Sequence, residues 1–269
     1  MLKIKHILLG VVLALILSSC STFHKTLNKG TAADQYALAT EMYNVEKYNK
    51  SIQLFEKAIP FYRGKPQMER LQYMLADANF KSKNYLMSAY YFDKFTKNYP
   101  RSSKREDAAF LSAQSYYLSI SKSSLDQTDT RTAIKAFQKF IDKYPDSPRI
   151  KEANAYIKTM QQILEQKDYD IAYLYYHTER YKSAVFAFDN FLSNNLGTQF
   201  KEDALYYKSK SAYLLAINSI NEKKEERINS ALKSIARFEH NYADNSKYAS
   251  EITEYKNELK QELTNYTKN

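Results

Sequence analysis

The sequence predicts an all-α protein, a superhelix of tandem helix pairs. Two observations lead to this prediction. The chain has only 4 Gly and 5 Pro in 269 residues, few for a sheet-rich fold that needs many tight turns. Apolar residues also recur at helical spacing in five successive segments, within long stretches rich in Leu, Ala, Lys, Glu and Gln. The 44% of hydrophobic residues is enough for a sizeable core.

The first twenty residues have the layout of a secretory signal. Lys3 and Lys5 precede an apolar run from Ile7 to Leu17, and two small residues follow it. A run of this length covers about half of a hydrocarbon core, so a permanent transmembrane helix is disfavoured. The run ends in Leu-Ser-Ser-Cys, which resembles the bacterial lipobox. In a lipobox the cysteine becomes the acylated first residue of the mature chain.

Cys20 is the only cysteine, which makes disulfides within the chain impossible. An incidental thiol, or ordinary signal cleavage nearby, is the alternative to lipidation. We predict a signal peptide over residues 1–19, a diacylglyceryl and acyl (palmitate-type) lipid on Cys20, and a flexible tether over 20–33. Ser21 rather than Asp follows the cysteine. By resemblance to the enterobacterial sorting rule, this favours the outer membrane, with the chain facing the periplasm.

Past residue 34 one aromatic pattern returns five times. Each copy has a large apolar anchor, a small residue four positions before it, and a Phe or Ala three positions after it. Offsets of three, four and seven place such residues on one face of a helix. The five anchors are Phe55, Phe92, Phe137, Phe188 and Ile235.

A second apolar-periodic helix precedes each anchor helix, so each repeat is a helix hairpin. The pattern is similar to the tetratricopeptide repeat (TPR), but the anchors lie 37 to 51 residues apart, which exceeds the usual 34. The extra residues predict an inserted loop over Ser121 to Thr132, a longer first helix over Ile150 to Asp168, and a charged helical extension or turn over 221–227. The sequence thus predicts one TPR-like α-solenoid domain over 34–269, with five helix pairs and a polar closing helix over Tyr248 to Tyr266.

The sequence shows no constellation typical of an enzyme. The four histidines are scattered, and no Gly-rich phosphate loop, nucleophile elbow or paired-cysteine motif occurs. A surface or groove role is favoured for His177 over a catalytic one. We predict no catalytic residue, no metal site, and no cofactor beyond the lipid on Cys20. The net charge of +10 is spread along the chain, which favours a solvated basic surface and no nucleic-acid partner.

The first helices of the pairs line the concave surface of a TPR array. Here they would form a groove lined by aromatic residues with an Arg and a Lys at its edge. Such a groove suits an extended peptide that carries an aromatic side chain and a carboxylate. Packing between repeats is the alternative for half or more of these residues. The candidate substrate-peptide residues are Tyr36, Tyr43, Arg70, Tyr73, Asp77, Phe80 and Lys81.

The whole mature chain resembles the BamD family, the lipoproteins of the β-barrel assembly machinery. The resemblance lies in the lipobox, the short tether, the five repeats with a recurrent Tyr-Pro-x-Ser ending, the expanded third repeat, and the segment from Asp170 to Tyr181. Two repeat endings depart from the pattern. Residues 63–66 replace Tyr-Pro after the first repeat, and Asn195-Leu196 replaces it after the fourth.

The resemblance implies a scaffold that helps to fold and insert outer-membrane β-barrel proteins. It implies binding of unfolded outer-membrane proteins by the first repeats, docking of a BamA-like barrel subunit by the last repeats, and further assembly lipoproteins as partners. Two alternatives are another TPR lipoprotein adaptor of the cell envelope and a carbohydrate-binding or nutrient-binding lipoprotein that uses the tyrosines. The surface candidates for partner binding are Tyr173, Tyr176, Tyr206, Lys210 and Tyr213.

Overall fold

The structure, a computed structural model, describes residues 22–242 and 245–266. The predicted signal peptide and Cys20 lie outside these residues. The described ranges contain helices and no strand, which confirms the all-α prediction. Helix α1 spans residues 22–29, and it is followed by α2 (Ala32–Asn44), α3 (Tyr48–Tyr62), α4 (Gln67–Lys81), α5 (Tyr85–Asn98), α6 (Arg105–Leu118), α7 (Thr128–Lys143), α8 (Ile150–His177), α9 (Tyr181–Asn194), α10 (Lys201–Ile217), α11 (Asn221–Tyr242) and α12 (Ala249–Tyr266).

Helices α2 to α11 form the five predicted pairs, and α12 is the predicted closing helix. The three expected insertions also lie where the spacing placed them. The inserted loop is shorter than the predicted Ser121 to Thr132, because α7 already begins at Thr128. Helix α8 runs for 28 residues, and α11 starts at Asn221 with the charged segment as its first turns. No helix in the described part of the chain is both long enough and apolar enough to cross a bilayer.

The chain divides into two compact units. Unit 1 contains the described residues up to Ser121 and those from Asp126 to Met160, whereas unit 2 contains Lys122–Leu125 and the residues from Gln161 onward. Helix α8 therefore supplies residues to both. The single repeat domain over residues 34–269 stays a prediction.

The anchors form the centre of both cores. All five have no exposed surface, and the small residues four positions earlier are likewise fully buried. In two repeats this small residue is a serine, which bonds across the hairpin. The Ser51 hydroxyl donates to the Ala39 carbonyl at 2.8 Å, and the Ser88 hydroxyl donates to the Ala76 carbonyl at 3.1 Å. A small residue here lets paired helices approach closely, and the hydroxyl loses no hydrogen bond on burial.

The segment predicted as a flexible tether is largely helical. Phe23 on α1 is only 6% exposed and packs in the same core cluster as Phe55, with the Lys50 ammonium 5.0 Å from its ring centroid. The Gln35 side-chain amide donates to the Leu27 carbonyl at 3.3 Å. The polar residues of this segment and its glycine predicted a tether, whereas the burial of Phe23 that stabilises the helix is a tertiary contact.

Gly30 ends α1 for a steric reason. Its N–H donates to the Thr26 carbonyl at 3.0 Å, and a Cβ atom on residue 30 would lie 2.5 Å from that same oxygen. Glycine is therefore required by the close approach of the backbone, and it allows α2 to start immediately. Thr31 then caps α2, because its side chain accepts from the Asp34 N–H while the Asp34 carboxylate accepts from the Thr31 N–H.

Candidate functional site

Unit 1 contains a cavity of about 500 Å³ beside helix α4. The end of α2, the first two turns of α4, a ring from α5 and the turn before α6 form its wall. Three of the predicted peptide-binding residues, Tyr43, Arg70 and Tyr73, line it together. The full lining is Tyr43, Asn44, Pro66, Glu69, Arg70, Tyr73, Met74, Phe95, Ser103 and Lys104.

The ring of Tyr73 is held in the cavity wall by two phenylalanines. Its centroid lies 5.6 Å from that of Phe92 and 5.4 Å from that of Phe95, and both pairs are edge-to-face. Edge-to-face contacts of this kind fix an aromatic ring beyond the effect of burial alone. The Lys104 ammonium lies 4.6 Å from the centroid of the Tyr73 ring, a cation–π contact. Tyr73 is therefore a rigid aromatic surface with a cation beside it.

Two tyrosines of the wall bond to acids on the following first helix of the repeat array. The Tyr43 hydroxyl donates to the Asp77 carboxylate, and the Tyr73 hydroxyl donates to the Asp107 carboxylate. Both pairs are 34 residues apart, so the two contacts repeat one geometry between neighbouring repeats. Burial raises the pKa of Tyr43 and of Tyr73, and the hydrogen bond to the acid raises each further. Both phenols therefore stay protonated as donors.

Lys81 completes the contact of Tyr43 with Asp77. Its ammonium lies 2.9 Å from the Asp77 carboxylate and donates to the Tyr43 oxygen at 2.9 Å. Burial by itself would lower the pKa of Lys81, but the bonds to Tyr43 and Asp77 raise it overall. The polar groups of Tyr43, Asp77 and Lys81 therefore satisfy one another's hydrogen bonds. We assign Asp77 and Lys81 to positioning Tyr43 and not to the cavity wall.

Tyr36 and Phe80 are outside the cavity lining. The Tyr36 ring packs 5.2 Å from Tyr62 and 6.2 Å from Phe55, and the Phe80 ring packs 5.9 Å from Tyr85. For these two residues the structure shows the packing alternative stated above. Sequence position alone could not separate them from Tyr43 and Tyr73, because all four are aromatic residues on the first helices of their pairs.

Sequence reasoning did not select Lys104 or Met74. Lys104 immediately precedes α6, and the turn after Tyr99-Pro100 brings it to the cavity. The sequence does contain a signal for Lys104. A basic run follows the Tyr-Pro-x-Ser ending, and the first helix of the next pair begins directly after that ending. Lys104 and Arg70 together give the cavity two cations against one acid, Glu69. The cavity can therefore accept an anionic group beside an aromatic wall, through charge-assisted hydrogen bonds.

In unit 2, two of the surface candidates are buried. Tyr206 is 3% exposed and Tyr213 is 9% exposed, so neither presents a ring to a partner. Both were predicted to lie at the surface because the sequence does not show that the closing helix α12 packs against α10. Tyr248 stacks on Tyr206 with 3.6 Å between centroids, and Tyr255 stacks on Tyr213 at 4.2 Å.

Lys210 belongs to the same buried contact between α10 and α12. Its ammonium donates to the Glu251 carboxylate at 2.7 Å and to the Tyr206 oxygen at 2.9 Å. Burial would raise the pKa of Glu251, but the hydrogen bonds from Lys210, Tyr206 and Tyr255 lower it overall. Burial and the bond to Glu251 raise the pKa of Tyr206 to about 12. This hydrogen-bond network holds the closing helix α12 against α10.

Tyr173 and Tyr176 are the surface candidates that stay accessible. Both rings pack around Tyr207, each at a centroid distance of 4.9 Å. Tyr173 is 36% exposed, and two apolar residues beside it on α8, Ile171 and Leu174, are exposed by 42% and 57%. Ile171 and Leu174 lie at offsets of two and one from Tyr173, so they project from a different side of α8. The accessible edges of Tyr173 and Tyr176 therefore form their own face, on a support of fixed aromatic rings.

Comparison with known families identifies the group to which the chain is related. A family model described as YfiO, outer membrane lipoprotein, matches residues 28–175 and 162–268, nearly all of the described chain. The chain belongs to the YfiO family. Its matched region contains both the cavity of unit 1 and the aromatic face of unit 2.

Curated relatives from distant bacteria agree with membership of the YfiO family. All three of the following are named outer membrane protein assembly factor BamD. The Haemophilus influenzae protein is 23% identical over 185 residues, which cover 65% of this chain and 70% of the relative. The Rickettsia prowazekii protein is 23% identical over 215 residues, covering 77% and 83%. The Helicobacter pylori protein is 29% identical over 119 residues, covering 44% of this chain and about half, 52%, of that relative.

Proposed function

We propose that this chain is a non-catalytic scaffold lipoprotein of the outer-membrane β-barrel assembly machinery. The YfiO match over both units carries the proposal, and the names of the curated relatives support the assembly role.

In this proposal, the cavity beside α4 binds the carboxy-terminal residues of an unfolded barrel protein. Such an end offers an aromatic side chain and a carboxylate. Tyr73 offers a fixed ring for the first, and Arg70 and Lys104 offer donors for the second. The cavity volume of about 500 Å³ fits one or two terminal residues rather than a folded segment.

The exposed face of α8 in unit 2 docks a BamA-like barrel subunit in this proposal. Tyr173 and Tyr176 are amphipathic rings that are already ordered by Tyr207, so little side-chain entropy is lost when a partner binds. Aromatic residues of this kind often carry most of the energy of an interface.

Affinity capture from mild detergent tests this role. The native lipoprotein should recover a BamA-like barrel subunit, identified by mass spectrometry. Joint replacement of Tyr173 and Tyr176 by alanine should lower its recovery about tenfold or more, the loss typical of a central aromatic pair. The control is Tyr90→Ala in unit 1, which removes a more exposed tyrosine, 52% accessible, and should leave recovery unchanged. Recovery of no barrel subunit, with normal barrel assembly on depletion, would contradict the proposed function.

We also propose that the mature chain begins at Cys20, which carries the diacylglyceryl and acyl lipid, and that it is held in the outer membrane, facing the periplasm. Cys20→Ala removes the only thiol, so it should abolish labelling by a radioactive acyl chain and prevent lipid anchoring. Ser21→Ala, one residue later, should keep the label. Full labelling of the Cys20→Ala chain would show that the lipobox interpretation is wrong.

A further inference from the structure

A second cavity in unit 1 is surrounded by positive charge. It measures about 340 Å³ and lies between α5, α6 and α7, separate from the cavity beside α4. Five cationic side chains and one carboxylate take part in its wall. They are Lys97, Arg105, Lys135, Lys139, Lys143 and Asp93.

Three of the lysines form a single row on α7. Lys135, Lys139 and Lys143 are four residues apart in sequence, so they lie above one another on one helix face, and all three border the cavity. Like charges at this spacing weaken a helix. Burial lowers the pKa of Lys143, and the charges of Arg105 and Lys139 lower it further. The row therefore concentrates repulsive charge at one place, which a bound anion would relieve.

The carboxylate in the wall does not balance these cations. Asp93 pairs with Lys97 on its own helix and lies 3.9 Å from Lys139. Arg105 directs its Nε–H to the Thr96 carbonyl at 3.2 Å, which leaves its charge without an acid. Within the described residues, Lys135 and Lys143 also have no ion-pair partner. The cavity wall thus carries more positive than negative charge, unlike a surface on which cations and carboxylates alternate.

A buried hydroxyl in the same wall has no hydrogen-bond partner. Tyr144 lines the cavity, and its Oη is one of two buried side-chain polar atoms without a partner in the described chain. Burial raises the pKa of Tyr144, so the hydroxyl keeps its proton and can donate it. Buried polar atoms are nearly always bonded, and an exception indicates a missing water, ion or ligand.

We propose that this cavity binds a phosphate-bearing anion, either free phosphate or the phosphodiester headgroup of a lipid. Several cations converge on a small volume, which suits a compact anionic group whose several acceptor oxygens can be contacted from different sides. Arg105 and the lysine row would neutralise the phosphate. Tyr144, whose hydroxyl has almost no accessible surface without ligand, would turn towards the phosphate to donate to one of its oxygens. The volume also leaves room for a small organic substituent such as glycerol. An acidic peptide would space its charges along a groove instead.

Calorimetric titration of the purified mature lipoprotein tests the site. The probes are inorganic phosphate and glycerophosphoglycerol, the water-soluble headgroup of phosphatidylglycerol. The double change Lys135→Gln and Lys139→Gln should weaken binding about tenfold or more, since it removes two charge-assisted contacts. The control pair Lys94→Gln and Lys151→Gln removes the same charge from exposed helix positions outside the cavity wall, and should change affinity less than about twofold.

Tyr144→Phe separates a ligand contact from a structural role. Without ligand its melting temperature should stay the same or rise, because the change removes a buried unbonded hydroxyl. Affinity for the probe should nevertheless fall several-fold. Binding of the diester alone assigns a lipid headgroup, and binding of inorganic phosphate alone assigns free phosphate; both support the site. Absence of binding, equal losses in the cavity and control pairs, or stronger binding of a short polyglutamate peptide would overturn the proposal.

Discussion

Replacing Phe188 by alanine is expected to lower the free energy of unfolding of unit 2 by about 3–5 kcal/mol. Phe188 has no exposed surface and lies at the centre of the core that α9 and α10 share. Its ring contacts Tyr169 edge-to-face at 6.0 Å and stacks near Tyr207 at 6.2 Å. Truncation loses the transfer free energy of the ring and leaves a cavity among rigid aromatic neighbours, which cannot collapse to fill it.

Hydrogen exchange of the amides of α9 and α10 measures this loss within unit 2, whatever the stability of unit 1. The matched control is Phe186→Ala, two positions away on the same helix. Phe186 is 69% exposed, so its loss should change the free energy of unfolding by no more than about 0.5 kcal/mol. A similar loss in both variants would mean that the anchor position has no special weight in the core.

The anchors show which part of the fold could be predicted from the sequence. Phe92 and Phe188 were assigned to the core only because residues four before and three after them share their helix face, and the structure leaves neither with exposed surface. Periodicity predicts such positions well, because burial of one helix face is a local property of the sequence. The existence of a longer helix from Ile150 followed from the spacing of the anchors, and the closing helix over Tyr248 to Tyr266 matches α12 to within one residue.

The turns within the helix pairs could not be predicted in the same way. Three of them contain a residue with positive φ that is not glycine: Glu46 at 60°, Lys83 at 64° and Glu179 at 59°. Each ends a first helix in the left-handed conformation that usually favours Gly or Asn. No residue preference signals this, because Glu and Lys do not favour the conformation. Backbone hydrogen bonds close each turn, as from the Lys47 N–H to the Met42 carbonyl at 2.8 Å.

Burial that depends on distant segments was also outside the reach of the sequence. Tyr206 and Tyr248 stack across 42 positions of sequence, and the Tyr206 hydroxyl bonds to Glu251, 45 residues away. An amphipathic pattern shows that a tyrosine lies on a helix face, but not which later helix covers it. The same limit explains why Tyr43 and Tyr36, alike in the pattern, differ in the structure: one lines a cavity and the other packs in the core.

Arg70→Gln is expected to weaken binding of a carboxy-terminal barrel peptide by about 10-fold to 100-fold. In the proposed function, Arg70 donates charge-assisted hydrogen bonds to the terminal carboxylate at the edge of the cavity beside α4. Glutamine keeps a polar side chain, although a shorter one, and removes the charge. The affinity of a labelled peptide, measured by fluorescence anisotropy at fixed ionic strength, checks this expectation. Arg63→Gln, a change of the same charge outside the cavity lining, should have little effect.

The assignment of Arg70 to the carboxylate, rather than to the aromatic side chain, needs a second change in the peptide. Amidation removes the terminal charge and should weaken binding to the native chain by a similar factor. If Arg70 bonds to that carboxylate, amidation should cost almost nothing further in the Arg70→Gln chain, because the partner is already missing. Tyr73→Phe should leave this coupling intact, since its hydroxyl is engaged by Asp107 and its ring is retained. Equal losses on amidation in both chains would place the carboxylate elsewhere, with Lys104 as the next cation in the wall.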